Sequence, residues 1–204
     1  MSDQALMQKI KQNFGGTIAA SAGYLDNGKD VPPSLLAALI ANESGGDPNA
    51  TRFEPAVCLQ LTEVLMGKLT AYSPHGIKRP LGSGDLLARL EPAGAPRPPL
   101  RSALFTLMEL ATSRGLTQIM GWHALEFGRA ALTGSPTDQL NFTVELLGWF
   151  AERYQLDYTK DFEQLFHCWN TGTPTDPPAT YDPNYVANGM ARMQAYENVG
   201  HTST

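Results

Sequence analysis

Leu35, Leu36, Leu39 and Ile40 recur at helical spacing directly behind Pro32-Pro33, and proline suits the first turn of a helix. Glu43 comes next, and Gly45-Gly46-Asp47-Pro48 follows, a cluster that ends helices. This run constrains the chain more than any other. It predicts a buried helix whose last turn carries a carboxylate, at the point where the backbone leaves for a loop.

The rest of the chain repeats the helical theme. Residues 3–14 and 17–26 read as two short helices parted by Gly15-Gly16. A helix is expected over 54–69, with Val57, Leu61, Val64 and Leu65 on one side. Segment 71–99 holds six prolines and four glycines, and only Asp85 to Leu90 could make a helical turn. It reads as a loop-rich insertion with room for a short hairpin near 71–82. Helical periodicity returns at 100–112, 116–127, 138–154, 161–169 and 183–197. Strand signals are weak throughout, so a mainly α fold is expected.

The 204 residues suit one domain with a small appended part. With 42% hydrophobic and 17% charged residues the chain is of the ordered globular kind. A net charge of −5 leaves no basic stripe to replace phosphate counterions, so nucleic acid is not an expected partner. Cys58 and Cys168 sit in apolar surroundings and read as buried free thiols, with a single long-range disulfide as the alternative. Met-Ser-Asp-Gln-Ala-Leu-Met-Gln-Lys-Ile lacks the basic-then-apolar order of a secretory signal. No stretch reaches the 18 or so apolar residues that span a bilayer. Synthesis in the cytoplasm without membrane insertion is expected. His75, His123, His167 and His201 show no metal-ligand spacing, and no phosphate-binding loop or Gly-x-Ser-x-Gly occurs. Neither metal nor cofactor is expected.

Three segments carry the candidate chemistry: Asn42-Glu43-Ser44-Gly45-Gly46; Gly115-Leu116-Thr117-Gln118-Ile119-Met120-Gly121; and Trp169-Asn170-Thr171-Gly172, followed by Tyr181-Asp182-Pro183-Asn184-Tyr185-Val186. In this order they resemble the lysozyme-like superfamily that includes lytic transglycosylases and goose-type lysozymes. The likeness is greater to the phage-type N-acetylmuramidases used as endolysins. Those share the Gly-Leu-x-Gln-Ile-Met-Gly wording and an Arg-Phe-Glu run, here Arg52-Phe53-Glu54. The resemblance covers about residues 32–198. Trp169 stands where the family usually has tyrosine, and the 75 residues from Glu43 to Gln118 exceed the spacing of simple transglycosylases.

The resemblance implies a lysozyme-like helical catalytic domain over 31–200, preceded by a helical extension over 1–30. It also implies cleavage of the β-1,4 bond between N-acetylmuramic acid and N-acetylglucosamine in peptidoglycan. Breaking that bond requires protonation of the leaving oxygen, by a carboxylic acid whose pKa burial has raised. Glu43, with Leu39 and Ile40 a turn behind it, is the expected acid. Glu54 is the first candidate for a second carboxylate, although a carboxylate at a helix start also simply suits the dipole. Asp47 and Glu109 are weaker candidates. Ser44 is expected to bond the sugar or hold Glu43. Gln118 can donate and accept at once, as N-acetyl and hydroxyl groups require. Asn170 is expected to shape the cleft floor, and Trp169 and Tyr185 to stack on sugar faces.

Expected partners are peptidoglycan glycan strands, plus a delivery partner such as a holin or a secretion system, since the site of action would be the periplasm or cell wall. Three alternatives stay open: a lytic transglycosylase leaving anhydro ends, a catalytically silent glycan-binding or structural module, and a related polymer such as chitin. The acidic pI of about 5.3 means that an enzyme on an often anionic wall relies on its cleft rather than on long-range attraction.

Overall fold

The computed structural model describes residues 1–25, 30–90, 100–127, 134–175 and 182–199. The fold is mainly helical with a few short antiparallel strands. In chain order the elements are α1 (Asp3–Ala22), α2 (Pro33–Glu43), β1 (Thr51–Phe53), α3 (Pro55–Leu65), β2 (Ala71–Tyr72), β3 (Leu81–Gly82) and α4 (Ser83–Leu90). They continue with α5 (Leu100–Leu110), β4 (Thr112–Arg114), β5 (Ile119–Met120), α6 (His123–Glu126), α7 (Pro136–Tyr154), α8 (Phe162–Thr171) and α9 (Tyr185–Asn198). The chain divides into two compact units. One comprises Met1–Ala50, Gly115–Thr117 and Gly134–Thr204, the other Thr51–Arg114 and Gln118–Thr133.

The first unit is built around α2. Every residue from Ser34 to Ala41 is buried, with α1, α7 and α9 packed against the helix. Leu35, Leu36, Leu39 and Ile40 are wholly inaccessible, and burial of each such side chain stabilises the fold by roughly 1.5–3 kcal/mol. The run that reads as a buried helix in the sequence is therefore the helix that organises this unit.

Helix α1 differs from expectation. It runs unbroken through Gly15-Gly16 rather than splitting there. A mid-helix glycine costs about 1 kcal/mol relative to alanine. Here Met7, Ile10, Ile18 and Ser21 keep one buried face in helical register, and tertiary packing outweighs the local preference. Ser2 caps the start by accepting from the Ala5 amide. At the other helix with a strong start, α7, Ser135 and Asp138 form a capping box.

The second unit holds α3 to α6 and both sheets. Its core gathers Cys58, Leu61, Val64, Tyr72, Leu81, Leu86, Leu107, Leu110 and Trp122. The hairpin expected near 71–82 is present, with Tyr72 paired to Leu81, and the turn at 85–90 is part of α4. The remainder of the loop-rich insertion, 91–99, lies outside the described residues. A three-stranded sheet of order β1-β4-β5 was not expected. Its strands span two or three residues, too few for alternation to show in a sequence.

The helix expected over 116–127 is a correction. Gly115 and Gln118 take left-handed conformations, at φ 80° and 52°. Ile119–Met120 then pairs with β4, leaving only the four-residue α6. Two positive φ values within four residues cannot belong to an α-helix.

Candidate active site

Glu43 is the last residue of α2, and its side chain is half-buried. Beyond it the backbone turns through Gly45 and Gly46, at φ 61° and 88°, conformations for which glycine carries no steric penalty. The carboxylate accepts a hydrogen bond at Oε1 from the Tyr185 hydroxyl, delivered by the first residue of α9. Burial, and then the Glu43 charge, hold the Tyr185 phenol well above its ordinary pKa, so this hydroxyl stays protonated and stays a donor.

A second layer of bonds surrounds that pair. Asn42 donates from Nδ2 to the Tyr185 backbone carbonyl at 3.0 Å. Its Oδ1 accepts from Nη1 of Arg192 at 2.6 Å, and Nε of Arg192 donates to Asp3 at 3.0 Å. Sequence reasoning passed over Asn42, Arg192 and Asp3. They are polar residues of common types scattered over the length of the chain, and only Asn42, adjacent to Glu43, lay inside a segment singled out for chemistry.

Ser44 is engaged with the backbone around the end of α2. Its hydroxyl donates to the Leu116 carbonyl at 2.8 Å and accepts from the Gly46 amide at 3.2 Å. It ties the end of α2 to the Gly115–Thr117 strip of the same unit. Gln139 holds that strip from the other side: its Oε1 accepts from the Leu116 amide at 2.9 Å and its Nε2 donates to the Pro48 carbonyl at 3.2 Å. Thr117 meets Thr143 in a buried hydroxyl pair at 2.7 Å. Gly115 explains itself here. A Cβ at that position would lie 2.4 Å from Gln139 Oε1, on top of the left-handed φ.

Tyr185 is buried, with its ring edge-on to Phe166 at 6.3 Å between centroids. It reaches Glu43 through its hydroxyl. Trp169 and Asn170 lie half-buried in the last turn of α8, which Gly172 closes in the left-handed conformation. The Tyr154 hydroxyl secures that turn by donating to the Gly172 carbonyl at 2.8 Å. Tyr181 lies outside the described residues.

Two expected site residues belong to the other unit. Gln118 is half-buried, and its Oε1 accepts from the Ser113 hydroxyl at 2.9 Å. Glu54 stands at the N-cap of α3 without capping it by its side chain. It pairs instead with Nε of Arg52 at 2.6 Å. With Arg52 69% exposed, such a pair adds little stability. Glu109 pairs with Arg114 at 2.8 Å, and Asp47 accepts from the Asn49 amide at 2.9 Å, as a turn-forming aspartate does.

Both cysteines are free and buried. Desolvation raises the Cys58 thiol and pushes Cys168 up to about 12. Among the described residues no group of three or more His, Cys, Asp or Glu is placed to hold a metal, and no helix is long and apolar enough to cross a membrane. No protein-family model, curated protein or solved structure matches the chain.

Proposed function

We propose that this chain is a muramidase, a glycoside hydrolase that cleaves the β-1,4 bond between N-acetylmuramic acid and N-acetylglucosamine with Glu43 as general acid. The observation that carries the reading is the setting of Glu43: a half-buried carboxyl at the exit of a helix buried from Ser34 to Ala41, clasped by a hydroxyl from the C-terminal helix. A carboxyl held in one orientation is what proton delivery to a leaving oxygen needs.

In this reading Tyr185 occupies Oε1, so the acid proton is carried on Oε2. That proton passes to the glycosidic oxygen as the C–O bond breaks, and the departing sugar leaves as an alcohol. Water then adds to the anomeric carbon and its proton returns to the Glu43 carboxylate, so the acid is restored and one water is consumed per bond cut. If the substrate's own hydroxyl attacks instead, no water is taken up and the product carries an anhydro end. The glycan strand is the partner, and export or release to the wall precedes action.

The test is incubation of the purified chain with peptidoglycan, followed by mass spectrometry of the soluble fragments. Hydrated ends support the muramidase, while anhydro ends, lighter by one water, point to a lytic transglycosylase. Glu43→Gln keeps an oxygen for Tyr185 but has no acid proton, so fragment release should fall at least ~100-fold with little change in melting temperature. Undiminished release by Glu43→Gln would remove Glu43 from the reaction. Binding without release by the wild type would leave a silent glycan-binding module.

A further inference from the structure

We infer that Arg192 is a positioning residue for Glu43, acting through Asn42 at the seam between α2 and α9; this rests on the glycosidase reading above.

Asn42 directly precedes Glu43, and both ends of its amide are engaged. Oδ1 takes the Arg192 guanidinium and Nδ2 gives to the Tyr185 carbonyl. Only one orientation of the amide satisfies a donor on one side and an acceptor on the other. Tyr185 and Arg192 are seven residues apart on α9, two helical turns, so they share a face. Side chains on a helix lean toward its N-terminus, which lets Arg192 reach back to the turn that Tyr185 begins. The same turn carries the hydroxyl that holds Glu43. The guanidinium thereby fixes the register of α9 against the end of α2, and with it the placement of the clasp.

The second arm of Arg192, Nε to Asp3, leads away from the site to the start of α1. Its side chain is only 20% exposed against 44% for Asp3. A rigid planar fork can serve two partners at once, and a lysine ammonium at the end of a flexible stem cannot reproduce both bonds. The competing role is a plain staple between α1 and α9, in which the Asp3 arm matters and the Asn42 arm does not.

Kinetics of peptidoglycan cleavage by the full chain separate the two roles, with kcat, KM and the pH profile measured for Arg192→Ala, Arg192→Lys and Asp3→Ala. Arg192→Ala should lower kcat about tenfold with KM nearly unchanged. The alkaline limb of its kcat profile should move to higher pH, because the cation bonded to Asn42, the chain neighbour of Glu43, is gone. Arg192→Lys should restore the limb and only part of kcat. Asp3→Ala should lose thermal stability yet keep kcat within about threefold.

Equal kcat losses in Arg192→Ala and Asp3→Ala that track melting temperature, or an unmoved alkaline limb in Arg192→Ala, would reduce Arg192 to a staple. If Arg192→Ala does not fold, Arg192→Lys decides: wild-type kcat there overturns the role. Full activity in Glu43→Gln would remove the glycosidase reading, and this inference with it.

Discussion

The clasp between Tyr185 and Glu43 joins two residues 142 positions apart, and it argues for a specific experiment. Tyr185→Phe keeps the ring packed edge-on to Phe166 and removes only the hydroxyl. Glu43 then loses a donor and a constraint on its rotamer. We expect kcat to fall about tenfold, equivalent to ~1.4 kcal/mol of barrier, with the melting temperature down by only ~2–4 °C per kcal/mol of lost hydrogen bonding. Unchanged turnover would mean that the hydroxyl serves packing alone. Glu43 was legible in the sequence because an apolar helical run stops at it. The role of Tyr185 was not, since composition and spacing do not distinguish an aromatic that offers its face from one that buries its ring and uses its oxygen.

His123 gives a residue-scale prediction in the second unit. It is buried between Trp122, at 3.9 Å between ring centroids, and Phe127, at 5.8 Å. Its Nδ1 lies 2.8 Å from Oε2 of the fully buried Glu126 side chain. Burial lowers the His123 pKa, and the Glu126 contact only partly offsets this. The fold therefore favours the neutral ring, and the contact at neutral pH is a hydrogen bond rather than an ion pair. The unfolded chain takes up a proton near pH 6.5 that the folded chain refuses. Stability should thus fall as pH drops below about 6.5, and this term should vanish above it. Melting temperatures between pH 5 and 8, for the wild type and His123→Asn, check the sign. The variant should show the shallower acid slope, and a slope as steep as wild type would assign the acid sensitivity to other groups.

At the scale of elements, α1 shows where sequence reasoning overweighted a local signal. A Cβ at Gly16 would meet nothing within 4 Å, and the residue lies in mid-helix. Gly16→Ala should therefore raise stability by ~0.5–1 kcal/mol, a gain of ~1–4 °C in melting temperature. Gly189 in α9 is the contrasting case. A Cβ there would lie 2.6 Å from the Phe166 ring of α8, so Gly189→Ala should cost ~1–3 kcal/mol by overpacking. If both substitutions moved the melting temperature in one direction, the packing of α1 or of the α8–α9 pair would need redrawing. The boundaries of α2, α7, α8 and α9 were readable because each carries a long apolar period closed by proline, glycine or a cap. The 116–127 segment was not. Its apolar spacing, Leu116, Ile119, Met120, Ala124, fits a helix as well as it fits a turn, a two-residue strand and a single helical turn. Backbone φ at Gly115 and Gln118 decided between them, and no side-chain pattern records that.

At the scale of the whole molecule, the site in the first unit draws on Asn42, Glu43, Tyr185 and Arg192, brought together by α2 and α9. Long-range charge acts differently, because it sums over every residue. The chain carries −5 at neutral pH, and its proposed substrate is a polymer that is often anionic. Like charges slow encounter, and salt screens them, with a Debye length near 30 Å at 0.01 M falling to about 10 Å at 0.1 M. Cleavage of intact, teichoic-acid-bearing walls by this chain should therefore speed up as salt rises from ~10 to ~150 mM, chiefly through a lower KM. An enzyme drawn to the wall by a basic surface would show the opposite trend. The same assay on short neutral chitin oligomers should be nearly flat in salt, because nothing on such a substrate repels the protein. A rate on walls that falls with salt would show that a local basic surface, rather than the net charge, governs substrate capture.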